Sequence, residues 1–416
     1  MPRDVRRARL AVALLFLTNG AIFANILPRY PAIKESLDLS NAQFGIAVAA
    51  FPLGALLAGL AAGALIRRFR SSRVAVFGTV LTAVGVLLAA VSPSWAFLSA
   101  ALLLAGAMDA ITDVAQNSHG LRVQRLYGRS ILNSFHAVWS IGAVAGGLMG
   151  GAAAALEVPL AIHLGASAVL FCAVSIGCYR LLLAGPEPLE VIEETPVAAS
   201  VIDGVPVATG AATGGAAVPR RPSLGRLARW IALFSLVMIA AAGAIVEDSG
   251  STWAAIYLSG DLGASVGVAA FGFVALVGAQ FIGRLLGDRL VDRFGQRAVA
   301  RAGGILVAVG MGAALLFPSV PGTILGFAAA GLGVATLVPA AMHEADQLPG
   351  LRAGTGLTVV SWLLRVGFLL SPPIVGFIAD ASGLRFGLII VPVVGVIVVL
   401  FSGVLSTRLR LTDNRA

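Results

Sequence analysis

Apolar residues dominate this chain in long runs, broken at intervals by short clusters of Arg, Pro and Gly. A helix that crosses a membrane needs about 20 mostly apolar residues. Twelve runs meet that length, at roughly 10–30, 42–66, 74–92, 95–118, 131–155, 159–183, 228–258, 265–287, 298–317, 320–342, 354–379 and 385–407. The predicted class is an all-α membrane protein. The one long polar interruption is 185–226, with Pro186, Pro188, Glu187, Glu190, Glu193 and Glu194 ahead of a Gly/Ala/Thr run. Such a segment is too polar and Gly-rich to span or pack, and reads as a solvated tether. It divides the chain into six spans over 1–184 and six over 227–416.

The two parts repeat each other at an offset of 225 residues. Leu65 matches Leu290, Arg68 matches Arg293, Phe69 matches Phe294, and Gly78 matches Gly303. The register continues through Gly85 and Gly310, Pro93 and Pro318, Ser94 and Ser319, and Gly106 and Gly331. It ends with Gly142 and Gly367, then Gly151 and Gly376. Two parallel halves of six spans are a common plan of secondary transporters, whose substrate site lies between the halves.

Composition supports the membrane reading. Hydrophobic residues make up 58% of the 416 and charged residues 12%, against about 25% charged in soluble domains. The net charge of +9 could suggest nucleic acid, but its distribution does not. Arg3, Arg6, Arg7 and Arg9 precede the first span. Arg67, Arg68, Arg70 and Arg73 fill the second connection, and Arg122, Arg125 and Arg129 the fourth. Arg220, Arg221, Arg226 and Arg229 lie in the sixth, and Arg289, Arg293, Arg297 and Arg301 in the eighth. The odd connections hold only Arg29, Lys34 and Arg385. The positive-inside rule then puts both termini and the even loops in the cytoplasm, against anionic lipid headgroups. The N-terminal apolar run is too long for a cleaved signal peptide. Cys172 and Cys178 have neither disulfide-framework nor metal spacing. Scarce Lys with abundant Arg, Ala, Gly and Val suggests a GC-rich bacterial genome, hence a bacterial cytoplasmic membrane. No phosphate loop, Gly-x-Ser-x-Gly motif or His/Cys cluster points to an enzyme, a cofactor or ATP use. A monomer is expected.

The connection after the eighth span reads GDRLVDRFGQR over 287–297, and its equivalent after the second reads GALIRRFRSSR over 63–73. These resemble the signature loop of the major facilitator superfamily, roughly Gly-x-Leu-x-Asp-Arg-Phe-Gly-x-Arg. Asp292, Arg293, Gly295 and Arg297 fit that loop, and Asp288 falls where a small Gly is expected. In the first half Arg68 fits, but Arg67 replaces the acid and Arg70 the Gly. The resemblance implies two pseudo-symmetric six-helix bundles and a cytoplasmic gate at these loops. A narrower likeness covers Asp113-Val-Ala-Gln-Asn117, His136, Trp139, Ser140, Gly142, Glu247, Trp253 and GFLLSPPIVGF over 367–377. It is similar to the branch that holds the bacterial fucose permease and rhizopine permeases. That implies a proton role for Asp113 and a sugar contact at His136.

Ionisable groups inside spans are functional candidates by default. Asp109, Asp113 and Asn117 recur every four residues and share one helix face. Asp113 is the first candidate for a coupling proton, with Asp109 and Glu247 beside it. Asn133 and His136 share a face of the fifth span, and a neutral imidazole suits a hydroxyl-rich solute. Arg365 lies near mid-depth of the eleventh span and needs an acid partner, Asp109, Asp113 or Glu247, or an anionic ligand. Asn19, Asn25, Trp139 and Trp253 complete the candidate binding set. Gly243 and Gly250 flank Glu247 and predict a bend or unwound stretch in the seventh span. Gly142, Gly146, Gly147, Gly150 and Gly151 predict close packing of the fifth. That span lacks the Pro usual in drug antiporters of the superfamily. The expected function is proton-coupled transport of a small polar solute such as a sugar or cyclitol. Export of a drug or metabolite is the alternative, and a non-transporting receptor the third reading.

Overall fold

A computed structural model describes residues 3–128, 131–185, 225–349, 351 and 355–407, without the side chains of Asn133 and Leu357. Residues 186–224, nearly all of the expected tether, lie outside this set. Twelve helices are long and apolar enough to cross a membrane. They are α1 Arg3–Ser36, α2 Asn41–Gly59, α3 Ser71–Ala90, α4 Trp95–Tyr127, α5 Ser134–Ala155 and α6 Leu160–Tyr179 in the first half. The second half holds α7 Arg226–Asp261, α8 Val266–Phe294, α9 Gln296–Leu316, α10 Val320–Asp346, α11 Thr358–Ser382 and α12 Leu384–Val404. There is no strand among the described residues.

The repeat seen in sequence recurs in atomic detail. Ser94 caps α4 by accepting from the Phe97 amide, and Ser319, 225 positions on, caps α10 by accepting from Gly322. Gly106 lets α4 lie against the Phe51 carbonyl of α2, and Gly331 lets α10 lie against the Leu276 carbonyl of α8. Arg68 stacks on Phe69 at 5.5 Å and Arg293 on Phe294 at 5.3 Å. Gly295 turns the chain at φ 83°, and its counterpart Arg70 holds the same turn at φ 74°. That region is nearly forbidden to a residue with a Cβ, so the Arg stores strain where the second half has none.

The seventh span does not unwind beside Gly243 and Gly250. Its α-helix runs unbroken over Arg226–Ile256 and ends in a π-turn over Tyr257–Asp261. The two glycines serve close packing instead, Gly243 against Val338 and Gly250 against Leu276. The interruption falls in α10, at Ala335 and Thr336 between its two segments.

The halves meet chiefly through two pairs of helices, α2 with α11 and α5 with α8, and the end of α1 adds contacts to α7 and α8. Their tightest approaches lie at the end away from the basic loops. Gly45 faces the backbone of Pro372 and Pro373, Gly376 faces Asn41, and Gly151 faces Ala270. Glycines on α5 work on two fronts: Gly142, Gly146 and Gly150 meet α1 at Leu17, Ala21 and Asn25, while Gly147 and Gly151 meet α8. On this sealed seam Tyr30, Phe44 and Trp253 stack edge-to-face at 5.2 and 5.9 Å. The carboxylate of Asp380 on α11 accepts from the Asn41 and Ala42 amides of α2 at 2.8 and 2.9 Å. The tightest contacts between the halves thus gather at the end away from the basic loops, which they seal.

Candidate functional site

Two hydrogen-bond chains run through the first half. The indole of Trp139 on α5 donates to Asn19 Oδ1 at 2.7 Å, and Asn19 Nδ2 on α1 donates to Asp109 Oδ1 on α4 at 2.7 Å. Trp offers only a donor, so the Asn19 amide must turn its oxygen to Trp139 and its NH2 to the carboxylate. Three helices are tied by one fixed orientation. One turn closer to the basic face, Asn117 Nδ2 donates to Asp113 Oδ1 at 2.9 Å, and His136 Nε2 meets Asn117 Oδ1 at 3.2 Å. Phe16 holds the His136 ring edge-on at 5.2 Å. The four-residue spacing of Asp109, Asp113 and Asn117 therefore does place all three on one working face.

The second half answers with cations. Gln280 Nε2 on α8 donates to Glu247 Oε2 at 2.8 Å, and Arg284 Nη2, one turn along, lies 3.9 Å from the same oxygen. Arg284 and Glu247 remain 41% and 27% exposed, so this ion pair borders open space. Arg365 is exposed, and its guanidinium reaches toward Gly59 of α2. Asp113 is exposed and lies within electrostatic reach of both His136 and Arg365. His136 in turn senses Arg284. Polar groups of the two halves thus come within electrostatic reach of one another while staying solvent-accessible, as the lining of a wet cleft between the halves would. Its charge is asymmetric: Gly59 and Ser140 occupy the register positions of Arg284 and Arg365.

Gln280 and Arg284 are members that the sequence pattern did not single out. Of the expected partners of Arg365, Asp113 is the one in electrostatic reach, and Glu247 is engaged by Arg284 instead. Trp253 lies away from these groups, fully buried in the sealed seam, its indole N–H without a partner among the described residues. Asn25 is buried within the first half, its Nδ2 4.0 Å from the Met149 sulfur. The side chain of Asn133 lies outside the described residues. Asp288, Asp292 and Arg293 are exposed at the basic end of α8. Arg297 there donates to the Leu405 and Gly403 carbonyls at 3.0 and 2.5 Å and ties the loop to the end of α12. Of the other histidines, His119 is buried, its Nδ1 2.8 Å from the Ser71 hydroxyl and its Nε2 accepting from the Leu183 amide.

The chain matches the family model described as Major Facilitator Superfamily over residues 12–247 and 233–414. It is 29% identical over 398 residues to an uncharacterized transporter, y4wD, of Sinorhizobium fredii (strain NBRC 101917 / NGR234), covering 95% of this chain and 97% of that one. Membrane protein MosC of Rhizobium meliloti is 28% identical, with 93% and 88% covered. Enterobactin exporter EntS of Salmonella choleraesuis (strain SC-B67) is 31% identical over 160 residues, 38% of this chain and 37% of that one. Among solved structures, a bacterial homologue of the human lysosomal transporter Spinster in an inward-facing, occupied conformation superposes with TM-score 0.74 at 16% identity, covering 97% of both chains. A D-xylose–proton symporter gives 0.67 at 15% identity, covering 96% of both. With twelve spans in two pseudo-symmetric bundles and a match along its length, the chain belongs to the Major Facilitator Superfamily and is an integral membrane transporter rather than an enzyme.

Proposed function

We propose that this protein moves a small polar solute, a sugar, cyclitol or related metabolite, together with protons by alternating access. The reading is carried by one observation: Asp113 and His136 of the first half lie within electrostatic reach of Arg365 and Arg284 of the second while all stay solvent-accessible. Lone charges at that depth cost several kcal/mol unless paired or wet, so their gathering around a cleft argues for work on a solute. In this scheme Asp113 carries the coupling proton, with Asp109 and Glu247 as further acids. His136, Asn117, Asn133 and Trp139 contact the solute from one half, and Arg365 and Gln280 from the other. Asn19 orients the Asp109 carboxylate, Trp253 and Asn25 act when the seam rearranges, and Arg68, Asp288, Asp292, Arg293, Gly295 and Arg297 form the gate of the basic face. The protein sits as a monomer in a bacterial cytoplasmic membrane, both termini inside, the 185–226 tether joining bundles 1–184 and 227–416. By the positive-inside rule the sealed end is then the outer one, which makes this an inward-facing state.

The likeness to fucose and rhizopine permeases over 113–142 favours a sugar-like solute. The partial similarity to EntS favours export as the second reading. The test is purified protein in proteoliposomes with an external pH dye. Sugars, cyclitols and amphiphilic drugs are added without an imposed gradient. Addition of the right solute should draw protons inward, and Asp113→Asn should abolish that movement while still binding solute in a thermal-shift assay. Normal coupling in Asp113→Asn would place the proton elsewhere, and a response to drugs alone would favour the exporter.

A further inference from the structure

Helix α7 carries two adjacent acids whose surroundings differ sharply. Neighbours on a helix point about 100° apart. Glu247 meets Gln280 and Arg284 on the cavity. Asp248 turns into the outer seam, where it is 8% exposed. Thr252 donates to its Oδ1 at 3.4 Å, and the Ser371 hydroxyl of α11, 3.3 Å from that of Ser249, lies close by. Its Oδ2 is buried with no partner among the described residues, and the same holds for Trp253 Nε1 and Tyr257 OH on the same helix. Tyr30 of the first half lies within electrostatic reach of Asp248.

None of the charged groups that approach this layer pairs with Asp248 among the described residues. Arg29 donates through Nη2 to the Val158 carbonyl at 2.8 Å, while its Nε and Nη1 are buried without a partner among the described residues, and Lys34 senses Asp261. Arg385 donates to the Leu315 carbonyl at 2.6 Å, and Asp380 accepts from the α2 amides. Glu247 is the charged neighbour that Asp248 does feel, and it is an acid. No Lys or Arg lies within ion-pair distance of Asp248 among the described residues. An ionised carboxylate buried without a counter-ion is strongly disfavoured, and the usual remedy is to take up a proton. Parting the halves would bring water to the seam and remove that constraint.

We propose that Asp248 is a second proton site, and that the outer seam closes only when its carboxyl is protonated. Solute coupling at Asp113 and seam closure at Asp248 are then separate proton steps. The inference rests on the alternating-access reading but not on the identity of the solute. The sign follows from linkage. The sealed state binds one proton more than the open state, so raising pH favours opening. One proton changes the open-to-sealed ratio by up to tenfold per pH unit.

The test uses spin labels at Leu156→Cys and Phe317→Cys, positions 76% and 77% exposed at the sealed end of either half. Cys172 and Cys178 are replaced by Ser, and the protein is held in lipid nanodiscs without solute. The expected result is a distance distribution that lengthens with rising pH at up to tenfold per unit. Asp248→Asn, isosteric and neutral, should stay sealed at every pH, and Asp113→Asn should keep the pH step. If Asp248→Asn does not assemble, Asp248→Ser carries the same expectation. A flat wild-type profile, an unchanged slope in Asp248→Asn or Asp248→Ser, or closure that follows sodium rather than pH overturns the proposal. A protein that keeps the pH step yet moves no proton with any solute refutes the proton coupling of solute at Asp113 and leaves this one standing.

Discussion

Asp380 offers a direct measure of what holds the outer seam shut. Its two oxygens accept from the first amides of α2, so a carboxylate of one half completes the helix start of the other. Ser40 also caps that helix, through Gln43. Asp380→Ala thus removes only the contribution that depends on the two halves being together. Losing a cap typically costs about 0.5–2 kcal/mol. Asp380 is exposed, so screening holds the value to about 1 kcal/mol here rather than the larger figure for a buried charged pair. At about 1.4 kcal/mol per factor of ten, that is roughly a fivefold gain in the seam-open population. The assay is the alkylation rate of Ser249→Cys, a buried near-isosteric reporter in the seam, by a membrane-impermeant maleimide, with Cys172 and Cys178 replaced. A rate about fivefold higher in Asp380→Ala is expected. An unchanged rate, or one that falls, would show that the inter-half cap does not stabilise the sealed state.

Arg70→Gly should raise the apparent melting temperature in detergent, because it relieves about 1–3 kcal/mol of left-handed backbone strain, whereas Gly295→Arg should lower it. Gly106→Ala and Gly331→Ala should each cost about 1–3 kcal/mol and by similar amounts, since both press a methyl on the same repeated carbonyl contact; thermal unfolding followed by size-exclusion fluorescence reads this. A double-mutant cycle over Glu247→Gln and Arg284→Gln should give a coupling of about 1 kcal/mol or less, as suits a 3.9 Å pair that is part-exposed. A coupling several times larger would mean that the pair is a closed structural lock.

The halves, the spans and the α4 face were legible because each is a periodic signal. A fixed offset, a run length and an i, i+4 spacing survive without any knowledge of neighbours. Arg284 was not legible for the opposite reason. It falls inside the predicted span 265–287, but only four residues ahead of Asp288 and the basic loop, and nothing in the sequence pairs it with Glu247 until the single helix Val266–Phe294 packs beside α7. Asp380 likewise looks like a span-end acid, since its role depends on an amide 339 residues away in sequence. Glycines beside an acid suggested a broken α7, but tertiary packing used them to admit Val338 and Leu276. Trp253 carried an aromatic signal common to sugar sites and sealed interfaces, and only the partner Phe44 distinguishes the two.

Alternating access requires that one site between two rocking halves be reached from one side at a time. Ser361 precedes Arg365 by one turn on the cavity face of α11, and Ser249 lies in the opposite seam. Alkylation of Ser361→Cys and of Ser249→Cys should be measured in inside-out and right-side-out vesicles across pH and candidate solutes. Reciprocal rates are predicted: every condition that speeds one reporter slows the other. Two rates that rise together, or a seam reporter that never reacts under any condition, would contradict alternating access.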